Sequence, residues 1–220
     1  MIGLPGADRG SGSVNLLTKA RIRVRKGRLA IAIERRTEIL TVAARHFREK
    51  GYPYTSLDDI TREIGITKPA IYYYFEAKED ILYEICVTQI KRLMEQAQAI
   101  AATDLDIAEK IRRIFTGHIM QFHTNRDVAE SYWREAAHLS LPRRKEVSNM
   151  LKQYEYFIRE LVDQGIAEGV FRPVNTRQVV RGIGGMVFTI GNWYDPAGPD
   201  DINVIIDAYI DFIMHGLMNK

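Results

Sequence analysis

A short stretch near the start of the chain carries hydroxyl, acidic and glycine residues at a spacing that suits a DNA-binding motif. Ser56 is followed by Asp58 and Asp59, a pattern typical of a helix N-terminus. Gly65 can end that helix in a tight turn, and Thr67 provides a second N-cap. The pattern predicts a helix, a tight turn and a short helix. Such a helix-turn-helix places its second helix in the major groove of DNA.

The second of these helices is short and exposes few side chains. Thr67, Lys68 and Ala70 form its exposed N-terminal part, whereas Ile71 is expected to face inward. Pro69 costs little there, because the first turn of a helix has no partner for the missing N–H. The N-terminal residues of a recognition helix lie at the base edges, so this part of the helix is the predicted base-reading surface.

Three consecutive tyrosines follow, Tyr72, Tyr73 and Tyr74, and they cannot all be buried on so short a helix. At least one hydroxyl should therefore reach solvent or a phosphate. The alternative is that they are core aromatic residues with only their polar tips in water. We assign Tyr72 and Tyr73 to the DNA side and Tyr74 to the core.

Residues from about 35 to 82 resemble the DNA-binding domain of the TetR family of bacterial transcriptional repressors. The matching residues are Gly51, Tyr52, Thr55, Ser56, Ile60, Gly65, Ile66, Thr67, Lys68, Ile71, Tyr72, Phe75, Lys78, Glu79 and Leu82. The sequence departs from the family pattern at Pro69, where a small residue is usual, and at Ala77, where a serine or threonine often caps the fourth helix. The resemblance implies an all-α protein with a three-helix helix-turn-helix head and a C-terminal helical domain for ligand binding and dimerisation.

The residues predicted to contact DNA combine the pattern with the resemblance. Lys78 lies in the first turn of the next helix, where a cation opposes the helix dipole, so a phosphate partner explains it better than helix stability does. The full set is Thr55, Ser56, Thr67, Lys68, Ala70, Tyr72, Tyr73 and Lys78. The predicted partner is double-stranded operator DNA, which a symmetric dimer reads as a palindrome.

The net charge of +3 hides an asymmetry along the chain. Residues 19–50 contain eleven lysines and arginines against three glutamates, a balance of +8, whereas residues 51–220 have a balance of −5. A basic head on a mildly acidic body is typical of a protein that binds a polyanion with one part only. We expect a flexible basic arm at residues 1–28, which either lies along DNA or is solvated, a DNA-binding domain at residues 29–77, and an effector-binding and dimerisation domain at residues 78–220.

Cysteine usage and hydropathy indicate a cytoplasmic protein without a membrane segment. Cys86 is the single cysteine, so no intramolecular disulfide can form, and a reducing compartment is expected. We interpret Cys86 as a buried helical residue rather than a redox sensor. We expect neither a signal peptide nor an apolar run long enough to cross a bilayer.

Helical periodicity runs through the whole body of the sequence. A first helix is expected from Leu29 or Glu34 to Lys50, and a long helix from Lys78 to about Ala102 joins head and body. The last two helices, residues 176–194 and from about residue 200, are apolar on more than one face, which a surface helix would not tolerate. They predict a homodimer held by a four-helix bundle.

The body also contains the predicted pocket for a hydrophobic small-molecule effector, although such stripes are equally typical of a plain core. Its residues are Phe115, Ile119, Phe122, Trp133, Tyr154, Phe157, Met186 and Phe188. The segment at residues 192–198 resembles family members that respond to acyl-CoA thioesters of fatty-acid, aromatic or steroid breakdown. The resemblance implies that basic residues at the pocket mouth bind the phosphates of CoA. The candidates are Arg112, Arg113, Arg143, Arg144, Lys145, Arg177 and Arg181.

Signatures of catalysis are missing from the sequence, so we expect no enzyme, no cofactor and no metal site. Glu135 and His138 have the spacing of half a carboxylate-bridged metal site without a second half, and His118 and His123 lie on different sides of a helix. The prediction is a ligand-responsive repressor that binds a palindromic operator as a dimer. The alternatives are a helical ligand-binding protein or enzyme with a vestigial head, an effector-independent DNA-binding protein, and an activator in place of a repressor.

Overall fold

The computed structural model describes the backbone of residues 11–219 and the side chains of residues 30–219. In that part of the chain nine α-helices follow one another, with a short 3-10 turn (Ala136–His138) after the sixth. They are α1 (Ser11–Lys50), α2 (Leu57–Ile64), α3 (Lys68–Tyr72), α4 (Lys78–Ala101), α5 (Ile107–Thr124), α6 (Arg126–Glu135), α7 (Leu141–Ala167), α8 (Thr176–Trp193) and α9 (Ile202–Leu217). An isolated bridge between Phe171 and Met218 is the one β-type pairing in these residues. The all-α prediction is confirmed.

The first helix is longer than the sequence predicted, because α1 begins at Ser11 rather than at Leu29 or Glu34. Residues 11–28 contain no proline, and half of them are leucine, alanine, lysine or arginine, which favour helix. Gly27 costs about 1 kcal/mol inside a helix and does not end it. The predicted arm is therefore helical from Ser11 on, while its residues 1–10 lie outside the described residues. That the arm contacts DNA stays a prediction.

The chain divides into two compact units after Ile39. The first unit contains the N-terminal part of α1, in which Arg35 pairs with Glu38 at 2.6 Å. The second unit, from Leu40 on, contains the end of α1 and all later helices. The predicted boundary between residues 77 and 78 falls inside this second unit and stays a prediction.

The second unit opens with the helix-turn-helix, built from the end of α1 with α2 and α3. Phe47, Ile60 and Ile71 are fully buried between these helices, as the inward-facing position of Ile71 required. Gly51 ends α1 at a φ of +87°, and Gly65 ends α2 at a φ of +73°. Both angles lie in the left-handed region, which glycine adopts without a Cβ clash. These two glycines set the directions of the three helices.

The rest of the second unit packs around α5, which contacts each of α4, α6, α7, α8 and α9. Ile111, Ile119 and Ile190 are completely buried in this core. Burying one such side chain contributes about 1.5–3 kcal/mol. A Cβ at Gly165 would collide with the Phe171 ring, so the ring packs directly on the backbone of α7. The core holds the helices that surround the candidate effector site.

The last two helices leave large apolar side chains in contact with solvent. Phe212 is 70% exposed, Val204 67% and Trp193 46%. Ile206 and Ile210, on another face of α9, are buried. Both helices are therefore apolar on more than one face, as the sequence predicted.

Two smaller predictions about the chain also have an outcome. Cys86 is buried in α4, and this burial raises the pKa of its thiol to about 12, which makes it a structural residue rather than a reactive one. Among the helices that the structure describes, none combines the length and the apolar character needed to cross a bilayer.

Candidate DNA-binding surface and effector cavity

A capping box fixes the start of α2. The Ser56 hydroxyl accepts a hydrogen bond from the Asp59 N–H at 3.1 Å, and the Asp59 carboxylate accepts one from the Ser56 N–H at 2.9 Å. The hydrogen bonds from Ser56 lower the pKa of the Asp59 carboxyl to about 2. Because both polar groups of Ser56 serve the cap, its first task is to hold α2 in place.

The short helix α3 exposes the residues predicted to meet DNA. We call Thr67, Lys68, Tyr72 and Tyr73 the recognition surface. All four are exposed, Tyr73 most of all at 81%, and the Thr67 side chain makes no capping hydrogen bond. The Lys68 ammonium lies 3.0 Å from the Asp58 carboxylate, and this hydrogen bond raises the pKa of Lys68. Ala70 is half-buried beside them.

Two other predicted DNA residues point into the protein instead. Thr55 is only 2% exposed, and its hydroxyl donates to the carbonyl oxygens of His46 and Gly51. The Lys78 ammonium donates to the carbonyl oxygens of Tyr52 and Thr55 at 2.7 Å each, and its burial lowers the pKa of Lys78. A cation in the first turn of α4 opposes the helix dipole, and the hydrogen bonds to these two backbone carbonyls offset that effect for Lys78. Both residues brace the turn between α1 and α2.

The sequence reasoning did not single out one strongly exposed aromatic residue of the head, Tyr54. It is 82% exposed in the turn that precedes α2. Helical periodicity carries no information about a turn residue. The only available signal was an aromatic residue placed between Pro53 and Thr55, where no core position is expected.

A cavity of about 260 Å³ lies between α4, α5, α6, α7 and α8. Its wall is mainly aromatic and aliphatic, with a few polar side chains. The lining residues are Gln89, Leu93, Phe115, His118, Gln121, Phe122, Ala129, Tyr132, Trp133, Leu151, Tyr154, Glu155, Ile158, Val180, Arg181, Gly184, Gly185, Val187 and Phe188. At its rim Trp133 stacks on Phe188, with ring centroids 4.6 Å apart.

The predicted pocket residues divide between this cavity and the rest of the protein. Those that line it are Phe115, Phe122, Trp133, Tyr154 and Phe188. Ile119 is instead fully buried in the core, and Phe157 packs against that core from outside. Met186 lines a separate groove beside Phe212 on α8 and α9. One helix carries apolar side chains on several faces, so periodicity could not select the face that meets the cavity.

Polar groups of the cavity form internal pairs that the sequence reasoning did not identify. His118 on α5 hydrogen-bonds the Tyr154 hydroxyl on α7, and burial lowers the pKa of His118 to about 4. Gln89 on α4 donates to Gln121 on α5. Because its pKa is about 4, the His118 ring is neutral at pH 7.

Only one of the basic residues considered for CoA phosphates lines this cavity. Arg181, 44% exposed, donates to the Glu155 carboxylate at 2.9 Å, and both side chains belong to the wall. Arg143 is instead paired with Asp80 at the start of α4, and Arg113 with Glu109 on its own helix. Sequence position alone could not tell which arginine would reach the rim.

The helix α6 stands between the cavity and the head. Its residues Ala129, Tyr132 and Trp133 line the cavity. On another face, residues spaced four apart bind the end of α1 and the turn after it. Arg48 donates to Asp127 at 2.6 Å, Ser131 to the Ala44 carbonyl at 2.7 Å, and the Tyr52 N–H to Glu135 at 3.2 Å.

Histidines and acids make no metal centre in the part of the chain that the structure describes. No group of three or more potential ligands occurs among those residues. His123 hydrogen-bonds the Tyr194 hydroxyl at 2.7 Å, and His138 lies 3.5 Å from Glu135. The His123 contact joins α5 to the residue after α8, and the His138 contact lies within one helical turn.

The helix-turn-helix with a cavity-bearing helical body defines the class of DNA-binding transcriptional regulators with a ligand-binding domain. Two family models match the chain, "Bacterial regulatory proteins, tetR family" at residues 39–85 and "Tetracyclin repressor-like, C-terminal domain" at residues 104–217. The second alone covers more than half of the sequence. The chain therefore belongs to the TetR family, as the head residues predicted.

Individual relatives share both halves of the chain. The transcriptional repressor KstR2 of Mycolicibacterium smegmatis is 27% identical over 185 residues, which cover 83% of this chain and 90% of the relative. The solved structure of PfmR from Thermus thermophilus has 31% identity and a TM-score of 0.75, covering 82% of this chain and 99% of PfmR. AibR, solved in complex with isovaleryl coenzyme A and operator DNA, has 25% identity and a TM-score of 0.73, covering 81% of this chain and 97% of AibR.

Proposed function

We propose that this chain is a homodimeric repressor that binds a palindromic operator and leaves it when a hydrophobic effector, an acyl-CoA thioester, fills the cavity. The observation that carries the proposal is the position of α6, which lines the cavity with one face and holds the head with another. An effector that moved α6 would therefore act on the helix-turn-helix. The protein acts in the cytoplasm, where its operator lies.

In this proposal the recognition surface contacts DNA directly, together with Ala70. The ion pair between Lys68 and Asp58 is exposed on both sides, and solvent screens such pairs so that they contribute little to stability. Lys68 can therefore exchange Asp58 for a phosphate or a base at little cost. Ser56, Thr55 and Lys78 act by positioning, since their polar groups hold the start of α2 and the turn before it.

The size and lining of the cavity support the acyl-CoA class. Its volume of about 260 Å³ lies just below the range of about 300–1,000 Å³ for small-molecule pockets, so it accepts a short or medium acyl group and not the whole thioester. Arg181 at the rim can exchange Glu155 for a CoA phosphate, which offers a stronger charge-assisted contact. The relative AibR, which binds isovaleryl coenzyme A, supports the same class.

Dimerisation through α8 and α9 would bury the apolar side chains that these helices expose. Phe212 and Val204 are each more than two-thirds exposed, and a groove beside Phe212 is lined by Gly182 and Met186. A second copy of the same pair would cover both features under two-fold symmetry. A symmetric dimer presents two heads to two half-sites, which matches a palindromic operator.

Fluorescence anisotropy tests the proposal on both of its parts. The labelled DNA is the region upstream of the protein's own gene, with a scrambled duplex as control, and CoA thioesters of increasing acyl length are added. We expect specific binding that a short or medium thioester abolishes. Lys68→Ala should bind more weakly, whereas Lys152→Ala, which changes an exposed residue of α7, should not. Equal binding to both duplexes would refute sequence-specific binding to an operator. Specific binding that no thioester weakens would refute an acyl-CoA as the effector.

A further inference from the structure

One polar side chain in the cavity wall has an unused hydrogen-bonding atom. Gln89 on α4 is 3% exposed and lines the cavity. Its Nε2 group donates to Gln121, but its Oε1 atom has no hydrogen-bond partner among the described residues. A buried acceptor without a partner is costly, and such atoms are rare in folded proteins. Gln89 therefore has a free hydrogen-bonding position in an otherwise largely apolar wall.

The Gln89 side chain is the inner end of a chain of three amides. Gln121, itself 4% exposed, passes the chain on by donating to Gln96 at 3.0 Å, and Gln96 is exposed on the surface of α4. Because water satisfies the outer end in either direction, the three amides can reverse together. Gln89 then presents an N–H group to the cavity in place of its oxygen. The site can thus pair with a hydroxyl or with a carbonyl oxygen.

Among the described residues of the cavity wall, Gln89 Oε1 is the one buried side-chain polar atom without a hydrogen-bond partner. His118 and Tyr154 are hydrogen-bonded to each other, and Arg181 and Glu155 pair at the rim. An entirely hydrocarbon group in the cavity would displace any solvent from Gln89 without replacing its hydrogen bond. A site that hydrogen-bonds an oxygen discriminates strongly against an analogue that lacks it, because the buried group of the protein is then left unpaired.

We propose that the part of the effector that enters the cavity carries a hydroxyl or keto oxygen, and that Gln89 is the specificity-determining residue that binds it. The inference rests on the proposed function for the existence of an effector, and it narrows the effector from acyl groups in general to oxygenated ones. Because the Gln89–Gln121–Gln96 chain of amides can reverse, Gln89 can donate to a keto oxygen or accept from a hydroxyl group.

Isothermal titration calorimetry on the full chain without DNA tests the inference. The probes are ω-hydroxy fatty acids of medium chain length, each paired with the fatty acid in which a methyl group replaces the hydroxyl, and the corresponding keto acids. We expect the wild type to bind at least one oxygenated acid about tenfold more tightly than its methyl partner, the ratio that one buried hydrogen bond supports. Gln89→Leu should abolish or reverse this ratio.

The matched control is Gln96→Leu, which removes the exposed end of the same amide chain. Water can replace that end, so the preference for the oxygenated acid should persist. A purely structural role of Gln89 would lower the thermal stability of Gln89→Leu and leave the ratio of affinities unchanged, and this result would overturn the inference. So would a wild type that binds every methyl partner as tightly as the oxygenated acid.

The experiments distinguish a failure of the role of Gln89 from a failure of the proposed function. Operator release by unsubstituted thioesters, with no preference for oxygen, would leave the effector proposal standing and refute the role of Gln89. Preference for the oxygenated acid without any release of operator would support Gln89 and refute the proposed coupling.

Discussion

The contact between Ser131 and the head offers the sharpest test of the proposed coupling between the effector cavity and the DNA-binding surface. Ser131 is fully buried, and its hydroxyl donates to the Ala44 carbonyl at 2.7 Å. Ser131→Ala removes the oxygen without adding bulk, and one such buried hydrogen bond contributes about 1 kcal/mol. The coupling free energy between two sites of a regulator is on the order of 1–3 kcal/mol. Losing this bond should therefore reduce the coupling about fivefold.

The measurement is a complete thermodynamic cycle by anisotropy and calorimetry. The operator Kd is measured with and without effector, and the effector Kd with and without operator, and the two ratios must agree because binding linkage is reciprocal. We expect Ser131→Ala to keep both intrinsic affinities, since the residue belongs neither to the cavity wall nor to the recognition surface. Ser148→Ala, which changes an exposed residue of α7, is the control. An unchanged coupling factor in Ser131→Ala would refute the role of α6.

Three further predictions concern DNA contact, assembly and pH. Tyr73→Ala should weaken operator binding roughly tenfold by anisotropy, because an exposed hydroxyl that meets a phosphate makes a charge-assisted hydrogen bond. Phe212→Glu should give a monomer in sedimentation velocity, because a carboxylate cannot be buried unpaired in the dimer seam. Chemical unfolding of the wild type should show stability falling between pH 6.5 and about 4, by up to about 3 kcal/mol, and His118→Gln should flatten that decline.

The sign of the pH effect follows from where the proton binds. The folded protein keeps His118 neutral down to a pKa of about 4, whereas the unfolded chain protonates near 6.5 and so gains stability as the pH drops. A wild type and His118→Gln with parallel pH profiles would contradict this reasoning.

Tyr156→Ala, which changes an exposed tyrosine on α7, is the control for Tyr73→Ala, and an equal loss of operator binding in both would argue against a specific contact. Phe212→Glu that still sediments as a dimer would exclude this seam.

Local signals made the head predictable from its sequence. Ser56 caps α2, as a hydroxyl followed by two acids indicated, and Gly65 makes the tight turn that was predicted after that helix. Such features depend on neighbours within a few residues, so they can be identified without knowledge of the fold. The start of α1 at Ser11 was missed, because residues 11–28 lack the apolar periodicity by which helices are recognised, although their helix propensity is good.

The cavity was predictable only in part, for a geometric reason. Phe115, Phe122 and Tyr154 point into it, while Ile119, on the same helix as the two phenylalanines, is core. All of these positions are apolar in the sequence. Which of them meets a void depends on how five helices are spaced, and that information lies in contacts between distant segments.

Sequence alone determined the all-α class and the helix-turn-helix, because capping, glycine turns and helical periodicity are local properties. The family followed from the resemblance of the head residues. Tertiary structure decided the tasks of the polar residues. Thr55 and Lys78 point into the protein, where they donate hydrogen bonds to backbone carbonyls of the turn between α1 and α2. Gln89 faces the cavity because α4 packs beside α5 there. A buried polar side chain takes its role from its partners, and those partners come together only when the helices pack.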